Sequence, residues 1–494
     1  MNKLSIILSI CLFLNIISKA QIKNFNADGK QMTRFDQLGN AVDAHDGEIA
    51  YFNGTYYLYG TSYDCGFEWN NKTAPFCGFK SYSSTDMISW KDEGFLFDAQ
   101  NPQWQKRCDG KTYGCFRPHV IFNEKNKTYV LWINVYDNVS GYRVFTSKNP
   151  TGPFVEGPEP KISVNSTMPA GGLNNGDHDL FIDDDGTGYL AFTDWRTEGT
   201  IVIEQLSADY LTGTGKVCKS ITAGKTEAPA LFKRNGIYYV TYSDPNCGYC
   251  SGTGTSYKTS KSPLGPWSGG KKISDNSCGG QPSFVSTIKI DGKTIFLYGS
   301  DLWNNAAKNE AQANFYWAPL SFSADGEIKP LDCLTSYAMK RDAISRTEQY
   351  TAGCDIGGVR QRSQLFTANR HGKLSSFAIT TLKSGYPDKP LILEFYKYED
   401  YKAGEGKPMG RVSISASSIG WSAKKISVKT NFSLRKGVQY LAILKSETSK
   451  GCYGYAIGPA AAGTGDLTSV SVDSGGNFTR LANQQLKYNL LIQP

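Results

Sequence analysis

The chain has no apolar run long enough to cross a bilayer. Its longest, LSIILSICLFLNII at residues 4–17, follows Lys3 and precedes Ser18-Lys19-Ala20, which is the basic start, apolar middle and small-residue end of a secretory signal peptide. A spanning helix needs about 20 apolar residues, so a membrane anchor is the weaker interpretation. We therefore expect residues 1–20 to be a signal peptide cleaved after Ala20, and the protein to be secreted, extracellular and without a membrane partner.

Runs of lysine and arginine are also absent. The net charge is +8, and it falls to +6 when Lys3 and Lys19 leave with the signal peptide. Nucleic-acid binding needs basic residues clustered on one face or in one run, so we expect no nucleic-acid partner. The surplus charge is interpreted as solvated surface with some affinity for acidic polymers.

Histidine is scarce, with 4 in 494 residues, and CxxC spacing occurs once, at Cys247-Gly-Tyr-Cys250. A structural zinc site of this kind needs four cysteine or histidine ligands, usually as two close pairs. Since no second CxxC is present, we expect Cys247 and Cys250 to form disulfides, with each other or with separate partners.

The cysteine count suits an oxidising compartment. Cys11 lies in the expected signal peptide, which leaves eleven of the 12 cysteines; because this number is odd, at least one thiol stays free or bonds another chain. Near pairs such as Cys65/Cys77 and Cys108/Cys115 would each close a short loop, although spacing alone does not fix connectivity. Seven Asn-x-Ser/Thr triplets suit a secreted glycoprotein; they begin at Asn53, Asn71, Asn126, Asn138, Asn165, Asn431 and Asn477.

Residues 40–320 also lack a long helical period. Aromatic residues make up 13% of the chain and glycines number 51, which favours many short strands and turns. One unit recurs, with a short polar start, a strand, a tight Asn/Asp/Gly turn and an aromatic strand, which predicts a β-hairpin. Its five copies read DGEIAYFNGTYYLYGTS, FRPHVIFNEKNKTYVLWINVY, DHDLFIDDDGTGYLAFTDW, EAPALFKRNGIYYVTYSD and QPSFVSTIKIDGKTIFLYGSDLW.

Five units about 50–70 residues apart predict radial repetition of sheets, because one four-stranded sheet cannot bury both faces without neighbours. We expect an all-β chain, with a five-bladed β-propeller at residues 21–335 followed by a C-terminal β-sandwich at residues 340–494. The repeat stops near residue 340, and alternating strands with Gly/Ser turns take over. Carbohydrate binding and simple scaffolding of the propeller are equally open roles for the sandwich.

The polar residues that open the five units are the candidates for chemistry. In a propeller the first strands line a central channel, so these residues converge at one end of it. Carboxylates from three blades in one pocket are what glycoside hydrolysis needs. The alternative is that each acid caps a turn, but their position at the same point of each repeat favours a site. The opening residues are Asp46, Phe116, Arg117, Asp177, Asp179, Glu227 and Gln281.

Residues 40–325 resemble glycoside hydrolase family 43. The family's members are five-bladed propellers that cleave arabinose-, xylose- or galactose-containing plant polysaccharides with inversion. Within the family, the short sequence motifs are most similar to those of the exo-β-1,3-galactanase group. The resemblance implies a secreted O-glycosyl hydrolase that acts on polysaccharide side chains; a catalytically inactive, carbohydrate-binding propeller is the alternative. The strings that carry it are DGEI, YSSTDMISW, RPHVIFN, DHDLFIDDDGTGYL, TEAPALFKRNGIYYV, SPLGPW and NFYWAPLSF.

The resemblance implies roles for three carboxylates. Glu227 in TEAPALF matches the family's general acid, Asp177 matches the carboxylate that raises the pKa of the acid, and Asp46 matches the general base. The exo-galactanases typically have glycine where Asp46 stands and use a glutamine instead. Because this chain has both Asp46 and Gln281, we assign Gln281 to positioning of substrate or water.

A second departure concerns the sugar. The exo-galactanases carry a glutamate that contacts galactose, and that position is Phe116 here. Arabinofuranoside and xyloside linkages therefore stay open beside β-1,3-galactan. Arg117 is a candidate for hydrogen bonds to sugar hydroxyls and is favoured over His119, whereas His45 either contacts substrate or satisfies its own turn.

Aromatic side chains are candidates for sugar-stacking walls, with blade core as the alternative; they are Trp69, Phe116, Trp195, Tyr249 and Trp303. Some family members hold calcium on a channel histidine from the last blade. No histidine lies between residues 178 and 371, so we expect no bound metal. We also expect no cofactor and a monomer whose partner is a polysaccharide or oligosaccharide substrate.

Overall fold

The computed structural model describes residues 21–69, 71–165, 174–303, 309–338, 349–402, 406–460, 468–471, 478–481 and 483–494. The expected signal peptide lies outside the described residues. Within them the regular structure is almost entirely strand, and the two α-helices are short, α1 (Pro102–Arg107) and α2 (Tyr398–Lys402). The prediction of an all-β chain is confirmed.

After β1 (Gln21–Lys23) the chain forms five antiparallel sheets, one after another. The first contains β2 (His45–Phe52), β3 (Thr55–Thr61), β4 (Phe79–Ser84) and β5 (Lys91–Phe95). The second contains β6 (Phe116–Asn123), β7 (Thr128–Asn134), β8 (Tyr142–Ser147) and β9 (Val155–Glu156). The third contains β10 (Asn175–Ile182), β11 (Gly188–Asp194), β12 (Thr200–Leu206) and β13 (Gly213–Cys218).

The fourth sheet contains β14 (Glu227–Arg234), β15 (Ile237–Ser243), β16 (Thr255–Ser260) and β17 (Ser268–Ser274). The fifth contains three strands, β18 (Gln281–Ile290), β19 (Lys293–Leu302) and β20 (Asn314–Pro319). Strand β21 (Ser336–Ala338) then pairs with β1, which ties the start of the described chain to the end of this region.

Tight turns join the first two strands of the sheets. In the first, fourth and fifth sheets the turn is Asn53-Gly54, Asn235-Gly236 and Asp291-Gly292. Both residues of each pair have positive φ, between 47° and 84°. This conformation matches the twist of the flanking strands and favours Asn-Gly or Asp-Gly, so the hairpins predicted at these pairs form for the expected local reason.

The five sheets pack in a closed cycle. The first strand of each sheet contacts the first strand of the next, and β18 contacts β2. Each neighbouring pair of sheets, including the fifth and the first, encloses its own buried apolar cluster. Between the fifth and first sheets the rings of Trp90 and Trp317 lie 5.7 Å apart, and both side chains are fully buried. Burying such a side chain stabilises the fold by about 1.5–3 kcal/mol.

A register shift occurs near the start of every one of these first strands. It lies between His45 and Glu48 in β2 and recurs at the matching point of β6, β10, β14 and β18. Such a bulge re-aims side chains and often lies beside an active site. Asp46, Arg117 and Ala228 occupy the bulge with φ of 57°, 56° and 53°, so side chains at the strand starts turn towards the centre of the cycle.

The remaining strands form two six-stranded sheets. One contains β22 (Thr351–Ile356), β24 (Gly372–Ser384), β27 (Lys424–Leu434), β29 (Cys452–Pro459), β32 (Gln484–Leu486) and β33 (Tyr488–Gln493). The other contains β23 (Gln361–Thr367), β25 (Leu391–Lys397), β26 (Gly410–Ile414), β28 (Gln439–Lys445), β30 (Thr468–Ser471) and β31 (Phe478–Leu481). One apolar core takes residues from both sheets, and in it the rings of Phe377 and Phe395 lie 5.2 Å apart.

Disulfides join five pairs among the described cysteines. The predicted odd thiol is Cys218, which is half-buried and free. The CxxC cysteines bond each other, and both near pairs close short loops as expected. The bridges are Cys65–Cys77, Cys108–Cys115, Cys247–Cys250, Cys278–Cys333 and Cys354–Cys452.

Candidate active site

The first strands of the five sheets begin around one pocket of about 300 Å³. In each sheet the first and second strands are antiparallel, so the first strand begins beside the point where the second strand ends. Residues that follow the second strands therefore also line the pocket. Its lining consists of Asp46, Trp69, Phe116, Arg117, Tyr136, Asp177, Trp195, Glu227, Asn246, Gly248, Tyr249, Gln281 and Trp303. All three candidate carboxylates therefore face one cavity.

Asp46 is held by hydrogen bonds to both carboxylate oxygens. The Thr61 hydroxyl donates to Oδ1 at 2.7 Å, and the Tyr63 hydroxyl donates to Oδ2 at 2.8 Å. The amide of Arg117 also donates to Oδ1, at 3.3 Å. Burial raises the pKa of Asp46 to about 7, the positive charge of Arg117 opposes this rise, and the carboxylate of Asp301 adds to it.

Arg117 links two strand starts through an ion pair. Its Nη2 lies 2.8 Å from Oδ2 of Asp177, and its guanidinium also donates to the carbonyls of Pro282 and Ser283 at 3.3 and 3.1 Å. Burial alone would lower the pKa of Arg117, but the carboxylates of Asp177 and Asp46 raise it above its ordinary value. The guanidinium is therefore a fixed cation between the two carboxylates.

Glu227 is buried and accepts two hydrogen bonds on one oxygen. The amide of Cys247 donates to Oε1 at 2.8 Å, and Nε2 of Gln281 donates to the same atom at 2.6 Å. Burial raises the pKa of Glu227 to about 8, and the charge of Asp177 adds to the rise. At neutral pH the group is therefore mainly a carboxylic acid, and Oε2, which accepts no hydrogen bond from the described residues, is free to carry its proton.

The orientation of the Gln281 amide follows from its second partner. Nε1–H of Trp303, which can only donate, lies 3.1 Å from Oε1 of Gln281. The oxygen of the amide must face Trp303, so its NH₂ group faces Glu227. Gln281 is thus fixed between a pocket wall and Glu227.

Aromatic rings form much of the wall. All five aromatic candidates line the pocket. The rings of Tyr249 and Trp303 lie 4.7 Å apart, and those of Trp69 and Phe116 lie 5.8 Å apart. Such rings offer flat apolar faces on which a sugar ring can stack.

Three lining residues, Tyr136, Asn246 and Gly248, were not found from the sequence. A signal was present, because Tyr136 and Asn246 follow the ends of β7 and β15, just as Trp195 and Trp303 follow β11 and β19. The short segment after each second strand therefore predicts pocket-lining residues, as the start of each first strand does.

His45 lies behind the pocket wall. Its side chain is fully buried, with Nε2 3.4 Å from Oδ1 of Asp43 and Nδ1 3.7 Å from Oδ1 of Asp301. A direct substrate contact, one of the two roles expected for it, does not fit this position. Phe116, Arg117, Trp195, Gln281 and Trp303, the other predicted substrate contacts, all line the pocket.

A buried group lies two residues further along three of the first strands. Its members are Glu48, His119 and Asp179, whose nearest donor atoms all lie within 4.8 Å of one another. Among the described residues this group could hold a divalent cation, since carboxylate and imidazole form a donor set that zinc accepts. Glu48 and Asp179 also accept backbone amides at 2.6 Å, so each carboxylate has a protein partner as well.

Two segments from outside the first strands close the site. The Cys247–Cys250 loop carries Tyr249, whose hydroxyl lies 3.0 Å from that of Tyr63. The segment after β3 is tied to the six-stranded sheets, because Oδ1 of Asp64 accepts the amide and hydroxyl of Ser422 at 2.7 and 2.8 Å. The neighbouring Trp421 packs in the same apolar cluster as Tyr63.

No helix among the described residues is long and apolar enough to cross a membrane.

Several known proteins are similar to this chain. A β-D-galactofuranosidase of Aspergillus niger is 28% identical over 294 residues, which cover 58% of this chain and 82% of that protein. An arabinoxylan arabinofuranohydrolase of Bacillus subtilis is 27% identical over 298 residues, which cover 52% of this chain but only 56% of the relative. The crystal structure of an exo-β-1,3-galactanase from Clostridium thermocellum matches 96% of this chain and 100% of its own, with a TM-score of 0.55 and 20% identity. At that identity the likeness shows a shared fold alone.

The sequence profile of the glycosyl hydrolases family 43 matches residues 23–284. This span covers more than half of the chain and includes the starts of all five sheets and every candidate catalytic carboxylate. The chain therefore belongs to glycosyl hydrolases family 43, and it is a glycosyl hydrolase.

Proposed function

We propose that the protein is a secreted, exo-acting, inverting glycosidase that removes terminal sugars from the side chains of plant cell-wall polysaccharides. The observation that carries the proposal is geometric. Asp46 and Glu227 line one pocket, Asp46 accepts hydrogen bonds on both carboxylate oxygens, and Glu227 accepts its two on Oε1 alone. Burial and the charge of Asp177 raise the pKa of Glu227 to about 8, which suits the acid of the acid–base pair that inverting hydrolysis requires.

In the proposed mechanism Glu227 gives the proton on Oε2 to the glycosidic oxygen as the bond from the anomeric carbon to that oxygen breaks. A water on the opposite face of the sugar attacks the anomeric carbon and gives its proton to Asp46. The products are an alcohol and a free sugar of inverted configuration. Asp177 raises the pKa of the acid, and Arg117 fixes Asp177 through their 2.8 Å contact.

The size of the pocket supports exo action. Its volume of about 300 Å³ lies at the lower end of the range for ligand pockets, which suits one terminal sugar unit rather than a long stretch of chain. Aromatic walls and the Cys247–Cys250 loop limit the space around it.

For the substrate we propose a terminal furanoside, arabinofuranosyl or galactofuranosyl. The names of the two curated relatives described above refer to these sugars, and the apolar Phe116 lines the pocket where the exo-galactanases carry a glutamate. Exo-hydrolysis of β-1,3-galactan is the second candidate, favoured by the contact between Gln281 and Glu227, since that group uses a glutamine in place of a base.

For the architecture we propose that the five sheets are the blades of a five-bladed β-propeller at residues 21–335. The two six-stranded sheets are then a β-sandwich at residues 340–494, which binds carbohydrate or braces the propeller. The closed cycle of contacts between first strands and the shared apolar core of the two larger sheets support this division. Secretion is supported by the five disulfides.

The test is hydrolysis of para-nitrophenyl α-L-arabinofuranoside, β-D-galactofuranoside, β-D-xylopyranoside and β-D-galactopyranoside, together with arabinan, arabinoxylan and β-1,3-galactan. Products are identified by anion-exchange chromatography, and the first-formed anomer is followed by proton NMR. Release of a single furanose with inverted configuration supports the proposal. A retained anomer contradicts the mechanism, and galactose released only from β-1,3-galactan selects the second candidate.

Variants assign the residues. On the polysaccharides, whose leaving oxygen must be protonated, Asp46→Asn and Glu227→Gln should each lower kcat by about 10²–10⁴-fold or more, with the far-ultraviolet circular dichroism unchanged. If Asp46→Asn stays active and only Gln281→Ala loses activity, the base assignment is wrong and the glutamine-dependent mechanism is right. Wild-type turnover in Glu227→Gln would remove the acid assignment.

A further inference from the structure

Three buried, charged side chains lie behind Asp46, and none of them lines the pocket. They are Asp43, His45 and Asp301, and each side chain is at most 3% exposed. Buried charges require partners, because an unpaired one is strongly destabilising. We name these residues the Asp43–His45–Asp301 group. Its contacts connect it to Asp46.

Asp301 holds the backbone of Asp46. Its Oδ2 accepts the amide of Asp46 at 3.1 Å, and the hydroxyl of Ser283 donates to the same oxygen. Asp46 has φ of 57°, in the left-handed region, which a non-glycine residue keeps only where its surroundings fix it. The hydrogen bond from the Asp46 amide to Asp301 is part of that fixing.

His45 lies between the two carboxylates and compensates part of their charge. Its two ring nitrogens face Asp43 and Asp301, at 3.4 and 3.7 Å, and only the imidazolium form has hydrogen on both nitrogens. Burial alone would lower the pKa of His45, but the two carboxylates raise it to about 9. With His45 protonated, the group keeps one uncompensated negative charge beside Asp46.

The other titratable groups around these side chains act differently. Arg117 lowers the pKa of Asp46, whereas Asp301 raises it. Tyr63 and Tyr249 have pKa values well above the ordinary one, with burial as the main cause, so they stay neutral. His45 also interacts electrostatically with Glu310, and its charge lowers the pKa of that carboxyl, which burial raises.

We infer that Asp301, with His45 as its counter-ion, is a positioning residue for the base Asp46: it accepts the Asp46 amide, fixes the strained backbone there, and places a carboxylate directly behind the base. The inference rests on the proposed function, since it takes Asp46 to be the base.

The test is the pH dependence of kcat/KM on the para-nitrophenyl glycoside that the wild type hydrolyses fastest. In Asp301→Asn the side chain still offers an acceptor to the Asp46 amide but no charge. The acidic limb should therefore move to lower pH, by about 1 unit. In Asp301→Ala the acceptor is lost as well, and kcat should fall about 10–100-fold, with KM little changed.

His45→Gln is the second variant, and its expected effect has the opposite sign. Without the imidazolium the charge of Asp301 is uncompensated, so the acidic limb should move to higher pH; this result tests the inference even if the Asp301 variants do not fold. Asp184→Asn, an 87% exposed turn aspartate, is the matched control and should leave the profile unchanged.

The failures can be told apart. If Asp46→Asn is inactive while the limbs of Asp301→Asn and His45→Gln coincide with the wild type, the positioning role is wrong and the proposed function stands. If Asp46→Asn is fully active, the base assignment falls first, and the positioning role falls with it.

Discussion

Nε2 of Gln281 lies 2.6 Å from Oε1 of Glu227, while Oε1 of Gln281 accepts the indole N–H of Trp303. The glutamine therefore holds Glu227, the proposed general acid, and an aromatic wall in one arrangement. Because Oε1 of Glu227 accepts both hydrogen bonds, Oε2 is the oxygen assigned to the proton in the proposed mechanism. We therefore expect Gln281 to act in two ways, by orienting Glu227 and by fixing Trp303 in the pocket wall.

Replacement of this glutamine should affect rate and pH dependence separately. Gln281→Ala removes the donor to Glu227, and kcat should fall about 10-fold or more because the acid is no longer held in line. Gln281→Glu puts a second carboxyl beside the first, and the two share a proton, so the basic limb of kcat/KM should move to higher pH. An unmoved basic limb in Gln281→Glu would mean that Glu227 is not the group titrating there.

Removal of the Asp177 charge should shift the basic limb of the kcat/KM profile to lower pH, opposite to the shift expected for Gln281→Glu. Asp177 raises the pKa of Glu227, which burial already raises. In Asp177→Asn the acid should lose its proton at lower pH, so the basic limb of kcat/KM moves down by about 1 unit. Asp275→Asn, whose side chain is 96% exposed, is the control. A profile that matches this control would show that Asp177 does not act through the acid.

The Cys247–Cys250 bridge should matter more than its small loop suggests. The amide of Cys247 donates to Glu227, and the loop carries Tyr249 at the pocket wall. Cys247→Ser with Cys250→Ser should lower kcat about 10-fold and raise KM, because both the acid and the wall lose their support. The matched double variant is Cys354→Ser with Cys452→Ser, whose bridge joins β22 and β29 in one of the six-stranded sheets. It should keep the wild-type kcat and KM. Equal kinetics in the two variants would contradict this role.

Removal of the acid should stabilise the protein at alkaline pH. The pKa of Glu227 is about 8 in the folded chain and about 4.3 in an unfolded one, so between these values the folded state binds a proton that the unfolded state lacks. Stability therefore falls as pH rises through this window. At pH 8.5 Glu227→Gln should have a free energy of unfolding higher by on the order of 5 kcal/mol.

At pH 4 the gain in Glu227→Gln should nearly vanish, since Glu227 is then protonated in the folded state and mostly protonated in the unfolded one. Urea unfolding at the two pH values measures the difference, and Glu124→Gln, a 78% exposed glutamate, is the control. A gain of the same size at both pH values would point to a packing effect rather than to the raised pKa.

The sequence predicted the local structure and the strand starts, because both depend on short-range chemistry. Asn53-Gly54 and Asp291-Gly292 specify their turns by backbone conformation alone. Asp46 and Glu227 occupy the same position in their repeats. Placing the hairpins therefore also places both residues at the pocket. The resemblance to the family adds roles to these positions, which repeat spacing by itself does not give.

The supporting residues could not be predicted in the same way. Asp301 lies at the end of the fifth sheet and meets Asp46 at the start of the first, about 255 residues away, so their contact exists only once the cycle of sheets closes. Asp64 meets Ser422 across an even longer separation of 358 residues. Placing His45 behind the wall likewise required both of its carboxylate partners, Asp43 and Asp301, to be located first.

The positive φ of Asp46 has a consequence for how such enzymes diverge. Glycine adopts this backbone conformation without strain, and aspartate and asparagine are among the side chains that tolerate it best. An exchange between glycine and aspartate at position 46 therefore leaves the strand start in place while it adds or removes a carboxylate. Under the proposed mechanism, this one substitution exchanges a base supplied by the strand for reliance on the glutamine opposite, and the fold is kept.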